Sequence, residues 1–388
     1  MDLALFHPLA EAHGPYATVI MDVTKTDPAN TDHLDGRWRE LERRLREAGA
    51  PEDVVAGLQD AVLEPSRAGG EHGRLAVANA DGLLATYDLP RRPDAHASWG
   101  PVPCLLPAIR ALASTIPHIV VRIDRTGADI EMRCGSAGSA DEDATTVEVQ
   151  GDHDDLTQVK TGGSSQRRFE SRIQDSWEHN AAKVAEELDR MVRQHKPKLV
   201  LVVGEEHAMS FLEQHASAEL AAVLVRSGAG GRGEGSSDEV VRDATQAALA
   251  ATRATMEADL VARFQQETGR AQAASEGLEP VVDVLQRAQV EELLLVEGRE
   301  HDQELWVGQD GLQLGLTRED AEALGATEPA LVPADEALVW AAICSRAGVT
   351  MLDRAQADPA DGVGALLRWS DESTPRSRFP SMPGHGGT

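Results

Sequence analysis

Aromatic side chains are scarce in this chain, with two Tyr, five Phe and six Trp among 388 residues. Its cores must therefore be built mainly from Ala, Val and Leu. Cysteine is scarcer still. Cys104, Cys134 and Cys344 stand far apart, without C-x-x-C spacing or a nearby histidine pair, which indicates neither a zinc site nor a disulfide framework and points to buried thiols in a reducing compartment. No apolar run approaches the ~18 residues needed to span a bilayer. The opening residues, Met1 to Pro8, lack the basic and apolar regions of a secretory signal, so a cytoplasmic location and no membrane partner are expected. Positive charge is also in deficit. There are 37 Lys+Arg against 65 Asp+Glu, a formal net charge of −28, and such a field repels polyanions and anionic membranes. A protein-wide basic coat for DNA or RNA is excluded.

What is present is globular. Hydrophobic residues make up 41%, before the 34 glycines are counted, so the chain can bury real cores. Its length corresponds to two or three domains.

Residues 1–114 alternate between strand and helix patterns. Ala17 to Val23 reads as a strand. Trp38, Leu41 and Leu45 form a helical stripe, a second helix runs through Leu58 to Leu63, and Leu75 to Ala78 is another strand. Residues 115–275 begin with a hairpin, His118 to Asp124 and Ala128 to Arg133, followed by an acidic loop from Asp141 to Asp155. A long helix carrying Phe169, Ile173, Trp177, Val184, Leu188 and Val192 ends before Lys196-Pro197. The continuous apolar run Leu199 to Val203 is a buried strand, and an Ala-rich helix spans about Asp238 to Gly269. Gly269 to Pro280 reads as a linker. Residues 276–370 form a third segment, with a helix at Val281 to Gln289, a strand at Glu292 to Val296, a capping box at Thr317 to Asp320, a helix at Ala334 to Ala347 and a strand at Val349 to Leu352. The tail, 371–388, is rich in Ser, Pro and Gly and reads as disordered.

Each of the three segments is net acidic, the third most strongly, yet the middle one contains a local reversal. Between residues 156 and 172, Lys160, Arg167, Arg168 and Arg172 face only Glu170. They surround Thr161-Gly162-Gly163-Ser164-Ser165-Gln166. Glycine permits close backbone approach, while arginine and a helix N-terminus supply charge and N–H donors, a combination suited to a phosphate backbone. A plain solvated loop has the same composition. Trp38, Trp177 and Trp340 lie on helical stripes and are expected in cores. Trp99, between Ser98 and Gly100-Pro101, reads as a loop residue and is kept as a candidate contact.

The stretch Gly162 to Phe169, leading through Arg172 into the helix that ends with Lys183-Val184-Ala185-Glu186-Glu187, resembles the middle domain of archaeal and eukaryotic class 1 release factors, in which a Gly-Gly-Gln loop precedes an Arg-Phe-containing helix. The third segment resembles the C-terminal domain shared by those factors and Pelota. Together the resemblance covers about 15–370 and is closest to the bacterial relatives in actinobacteria, among them the Balon-type ribosome hibernation factors. It implies an α/β fold in a three-domain release-factor-like architecture, each domain a mixed sheet with packed helices.

The departures carry weight. Ser164 and Ser165 stand between the two glycines and Gln166. A misplacement of about 1 Å can cost about a hundredfold in a positioned reaction, which argues against peptide release. The first segment has no Asn-Ile-Lys-Ser and no Tyr-x-Cys motif, and its loop from Lys25 to His33 reads Lys-Thr-Asp-Pro-Ala-Asn-Thr-Asp-His. The resemblance therefore implies a non-enzymatic factor that occupies the vacant A site of idle ribosomes. In that reading rRNA is met on the peptidyl transferase side by Lys160, Gly162, Gly163, Ser164, Ser165, Gln166, Arg167, Arg168 and Arg172, and on the decoding side by Lys25, Arg37, Arg39 and Trp99. Partners would be the rRNA of both subunits and an elongation factor Tu-like GTPase, with no DNA, metal or cofactor. The alternative is a rescue peptidyl-tRNA hydrolase with Gln166 positioning water. A further reading places acid/base or metal chemistry at Glu205, Glu206 and His207, just past the strand Leu199 to Val203; glutamates at a helix N-terminus account for the same residues. The glycine run from Gly228 to Gly235 lacks the Gly-Lys-Ser/Thr of a phosphate cradle.

Overall fold

The computed structural model describes residues 3–24, 32–65, 71–113, 115–133, 144–150, 165–228, 230, 238–270, 272–298 and 303–375. They fall into two compact units. One comprises Met1–Ser114 together with Glu257–Thr388, and the other is formed by the middle of the chain.

In the first unit a 3-10 helix, Ala4–Glu11, precedes β1 (Tyr16–Asp22), α1 (Asp32–Glu47), α2 (Glu52–Leu63), β2 (Gly73–Asn79), β3 (Gly82–Leu89), β4 (His96–Gly100) and α3 (Leu106–Leu112). The four strands make an antiparallel sheet in the order β3-β2-β1-β4. Every residue of β1 is buried, because both faces of the sheet are covered. Side chains alternate across a strand, so Ala17, Val19 and Met21 join Trp38, Leu41, Leu45, Val54 and Leu58 of α1 and α2, while Tyr16 and Ile20 enter a second core on the opposite face.

The second unit contains β5 (His118–Asp124), β6 (Gly127–Arg133), β7 (Ala144–Gln150), α4 (Ser165–His195), β8 (Leu199–Gly204), α5 (Glu206–His215), α6 (Ala218–Val223), β9 (Leu224–Ser227) and the start of α7 (Asp238–Arg270). Its sheet runs β7-β6-β5-β8-β9, antiparallel on the β6 side and parallel from β5 to β9. Ile119, Val121, Val200 and Val202 face α4 and α5. Val120, Leu199, Leu201 and Val203 face Val241 of α7. The acidic stretch read as a loop contains a strand: Ala144–Gln150 pairs with β6 in full register, Val147 opposite Ile130 and Val149 opposite Ala128.

The last part of α7 belongs to the first unit, followed by β10 (Ala274–Glu276), α8 (Leu278–Gln286), β11 (Val290–Val296), β12 (Glu304–Val307), β13 (Leu314–Gly315), α9 (Arg318–Ala323), β14 (Ala330–Pro333), α10 (Ala334–Cys344), β15 (Gly348–Leu352) and β16 (Val363–Leu367). They build a sheet of order β10-β16-β11-β15 and a smaller one, β13-β12-β14. The Thr317 capping box is present, its hydroxyl accepting from the Asp320 N–H at 3.2 Å while Asp320 accepts from the Thr317 N–H at 2.9 Å. The stretch Gly269 to Pro280 is not a free linker, because Ala274–Glu276 adds an edge strand to β16. Of the residues read as tail, 371–373 are exposed but the next two are packed: Thr374 is buried, its hydroxyl accepts from Gln289 Nε2 at 3.1 Å, and Ser275 donates to the Pro375 carbonyl. Residues 376–388 lie outside the described part.

The N-terminal and C-terminal segments share one core. Leu3, Phe6, Tyr16, Ile20 and Ile109 join Leu338, Trp340 and Ile343 of α10 and Val281 and Leu285 of α8 in a single cluster. From Ala337 to Ile343, α10 is buried on all sides, which is why it is apolar all round rather than striped. The mixed α/β class is the one the sequence indicates.

Candidate nucleic-acid interface

Of the basic stretch in the middle segment, residues 165–172 lie on α4. The helix is held by its C-terminal half, where Val184, Ala185, Leu188, Met191 and Val192 form the stripe that lies on the sheet. Asn180 Nδ2 donates to the Arg125 carbonyl at 3.0 Å. Trp177 is half-buried, with the Arg125 guanidinium 6.0 Å and the His207 ring 6.5 Å from its own ring centroid. The helix stops as read, at Lys196 with φ +49 and Pro197, and the Lys198 N–H then donates to the Pro117 carbonyl at 2.8 Å to start β8.

At 1.5 Å per residue, α4 continues about 18 Å beyond Trp177 toward its N-terminus. Ser165, Gln166, Arg167 and Arg168 form its first turn, and Arg172 follows Arg168 by about one turn. Gln166 is thus part of the helix, not of the preceding loop. No acidic residue lies in this first turn, whereas α2, α5, α7, α9 and α10 each begin with at least one. Acidic residues normally complement the positive helix end. Here arginines stand instead, so the helix dipole and the guanidinium charge have the same sign and together favour an anion. Lys160, Gly162, Gly163 and Ser164 lie outside the described residues.

The decoding-side residues are differently placed. Arg37 is turned inward, its Nη1 donating to the Asp22 carbonyl at 2.8 Å and pairing with the buried Asp22 carboxylate at 3.2 Å. Arg39 is exposed on α1. Trp99 is not in a loop: it sits on β4 opposite Ala17 and packs half-buried on the α1/α2 core. Lys25 lies outside the described residues.

Glu205, Glu206 and His207 open α5, with Glu205 as the residue before its first turn. Glu206 pairs with Arg226 at 2.6 Å, and Arg226 also reaches Glu213 at 3.1 Å. His207 turns to Trp177. The Glu206 carboxylate is directed to a guanidinium and the imidazole to an indole.

One cluster has no counterpart in the motifs of the sequence. His96, Cys104 and Glu336 bring one ligand-type atom each to within 4.8 Å of one another. Burial pushes the Cys104 thiol well above its usual range, with the Glu336 carboxylate adding to the effect. Burial likewise lowers the His96 imidazole. No spacing signal marks this set, since Glu336 is remote in sequence from the other two. Among the described residues no helix is long and apolar enough to cross a membrane.

Residues 117–270, which run from the start of β5 through the end of α7, match the family described as Bacterial archaeo-eukaryotic release factor family 2. The Mycobacterium tuberculosis (strain ATCC 25618 / H37Rv) protein Rv2629 is 26% identical over 364 residues, covering 93% of this chain and 95% of its own. Among solved structures, Archaeoglobus fulgidus Pelota aligns with 14% identity over 78% of this chain and 85% of its own, at a TM-score of 0.34. The S. cerevisiae translation termination-like factor Dom34 aligns with 10% identity over 78% of this chain and 81% of its own, at 0.40.

Proposed function

We propose that this chain is a ribosome-binding factor of the release-factor-like class that occupies the vacant A site of idle ribosomes and performs no chemistry there, in the manner of the Balon-type hibernation factors. One observation carries the reading: the segment that matches the bacterial release-factor family, 117–270, contains a helix whose first turn holds Gln166, Arg167 and Arg168 with no acidic residue. In a chain of net charge −28, phosphate contact has to be concentrated at such a point. The sheet-bound half of α4 serves as the handle, and its N-terminus reaches toward the peptidyl transferase centre.

The non-catalytic assignment rests on Ser164 and Ser165, which separate Gln166 from the glycine pair. The acidic C-terminal segment repels RNA and suits a protein partner, an elongation factor Tu-like GTPase. The site of action is cytoplasmic. Sucrose-gradient sedimentation of stationary-phase lysate tests the proposal: the protein is expected in the 70S fractions at low salt, and its recovery only at the top of the gradient would overturn it. If peptidyl-tRNA on stalled ribosomes is hydrolysed by wild type but not by Gln166→Ala, the rescue-hydrolase reading replaces the non-catalytic one.

A further inference from the structure

We propose that His96, Cys104 and Glu336 form a binding site for a divalent transition-metal cation of the zinc class. The three residues come from separate places in the first unit. His96 opens β4 opposite Ile20 of β1. Cys104 lies between β4 and α3, where its N–H donates to the Thr18 hydroxyl at 3.2 Å. Glu336 is in the first turn of α10. Their imidazole nitrogen, sulfur and carboxylate oxygen lie within 4.8 Å of one another, so a contraction of about an ångström brings all three to the ~2.0–2.3 Å reach of a common zinc ion.

Donor chemistry and charge both fit. Nitrogen, sulfur and oxygen together suit a borderline-soft cation and not calcium or magnesium, which take oxygen alone. One thiolate, one carboxylate and one neutral imidazole balance two positive charges, so the loaded set is neutral, the condition under which a buried ionic group is tolerated. Within the set Cys104, only 2% exposed, is hydrogen-bonded to the Glu336 carboxylate, whereas His96 Nε2 is shielded from solvent with no hydrogen-bond partner. A buried imidazole nitrogen in that condition carries the full cost of its lost hydration. A metal ion bound through Nε2 would supply that partner and would tie β4 of the N-terminal segment to α10 of the C-terminal one.

The test uses the full-length protein, freed of metal by chelator and titrated with Co2+. One equivalent is expected to bind with a thiolate-to-cobalt charge-transfer band in the near ultraviolet, displaced by Zn2+. In the Cys134→Ser/Cys344→Ser double variant Cys104 is the sole thiol, and the band is expected to persist. Its absence there overturns the site, whatever the folding of a Cys104 variant. Glu336→Gln keeps the shape and removes the charge; cobalt affinity is expected to fall by more than the roughly 10- to 100-fold that removal of an outer-shell partner costs. Unchanged affinity in Glu336→Gln overturns the role of α10.

Discussion

The indole of Trp340 on α10 meets the phenol of Tyr16 on β1 edge-on, with ring centroids 5.4 Å apart and planes at 63°. The Tyr16 hydroxyl donates to the Ala12 carbonyl at 2.6 Å, and burial, with Cys344 nearby, pushes its pKa up to about 12. Two residues from opposite ends of the chain thus sit in one core, each with its polar or aromatic edge accommodated.

Removing the indole should show that the two ends unfold together. Trp340→Ala deletes a side chain that is 3% exposed, and a cavity of that kind costs about 3–5 kcal/mol. The expected result in calorimetry is a lowered transition in which residues 1–114 and 276–370 melt as one event. A fragment ending at residue 114 should expose Tyr16 and Ile20 and fail to fold alone. A cooperative melt from that fragment would show that the shared core is dispensable.

Gly204 ends β8 with φ +138, and a Cβ there would collide with the Ile123 carbonyl oxygen of β5, its partner in the parallel ladder. Left-handed strain alone costs about 1–3 kcal/mol, and the collision adds the separation of two central strands. Gly204→Ala is therefore expected to lower the urea midpoint of the middle unit sharply, while Gly57→Ala in α2, where a Cβ meets nothing, should be neutral or stabilising.

Much of this fold is legible in the sequence, and each miss has its own physical cause. The β-branched run of β1, the stripe of α1, the stripe of α4 from Val184 to Val192 and the Thr317 box are local signals and they hold. Strand β7 is hidden because Glu148 and its acidic neighbours mask the alternation of Val147 and Val149, and the three-residue β10 has too few residues for any period. Trp99 stands beside Gly100-Pro101, which reads as a turn, although its pairing with Ala17 makes it a strand residue. What no local pattern holds is the meeting of distant segments: the Tyr16–Trp340 contact and the His96, Cys104, Glu336 cluster exist only because α10 packs on the N-terminal sheet. For the candidate residues at the start of α4 the reverse is true. They are contiguous, so the chain order itself displays them.

Arg74 is nearly buried in β2, where it grips Asp88 with Nε at 2.6 Å and Nη2 at 3.2 Å while Nη1 donates to the Ala61 and Glu64 carbonyls. Arg74→Met leaves the Asp88 carboxylate and two carbonyls without these donors. A destabilisation of about 3–5 kcal/mol is expected from breaking a buried pair on one side, and Arg74→Met/Asp88→Leu should recover part of it. Chemical denaturation of the single and double variants measures both.

His118 gives the middle unit a pH dependence of known sign. It is buried at the start of β5, donating from Nδ1 to the Ile116 carbonyl at 2.7 Å, and burial lowers its pKa below the usual 6.5 against the opposing effect of that hydrogen bond. In the unfolded chain the imidazole takes a proton as pH falls through about 6.5, whereas the folded one resists. Stability contributed by this residue is therefore complete above about pH 6.5 and lost as pH falls from there toward the folded-state value. Urea midpoints between about pH 7 and pH 5 should fall less steeply in His118→Gln than in wild type; parallel slopes would place the titration elsewhere.

The basic turn of α4 makes the last prediction, and it separates RNA contact from shape matching. Each arginine bound to phosphate displaces condensed counterions, so the logarithm of affinity falls with the logarithm of salt in proportion to the number of phosphates neutralised. Replacing Arg167 and Arg168 with Ala is expected to weaken ribosome binding and also to flatten that slope, by roughly one unit for each phosphate that an arginine no longer meets. Arg39→Ala, at an exposed position of α1, tests the decoding-side contact in the same way, with a slope change of about one unit expected if that arginine meets a phosphate. Because the body of the protein is acidic, few other side chains can supply the slope, and the double variant should lose most of it. Weaker binding with an unchanged slope would mean that the α4 turn acts through packing or the helix terminus and that its arginines do not touch the RNA backbone.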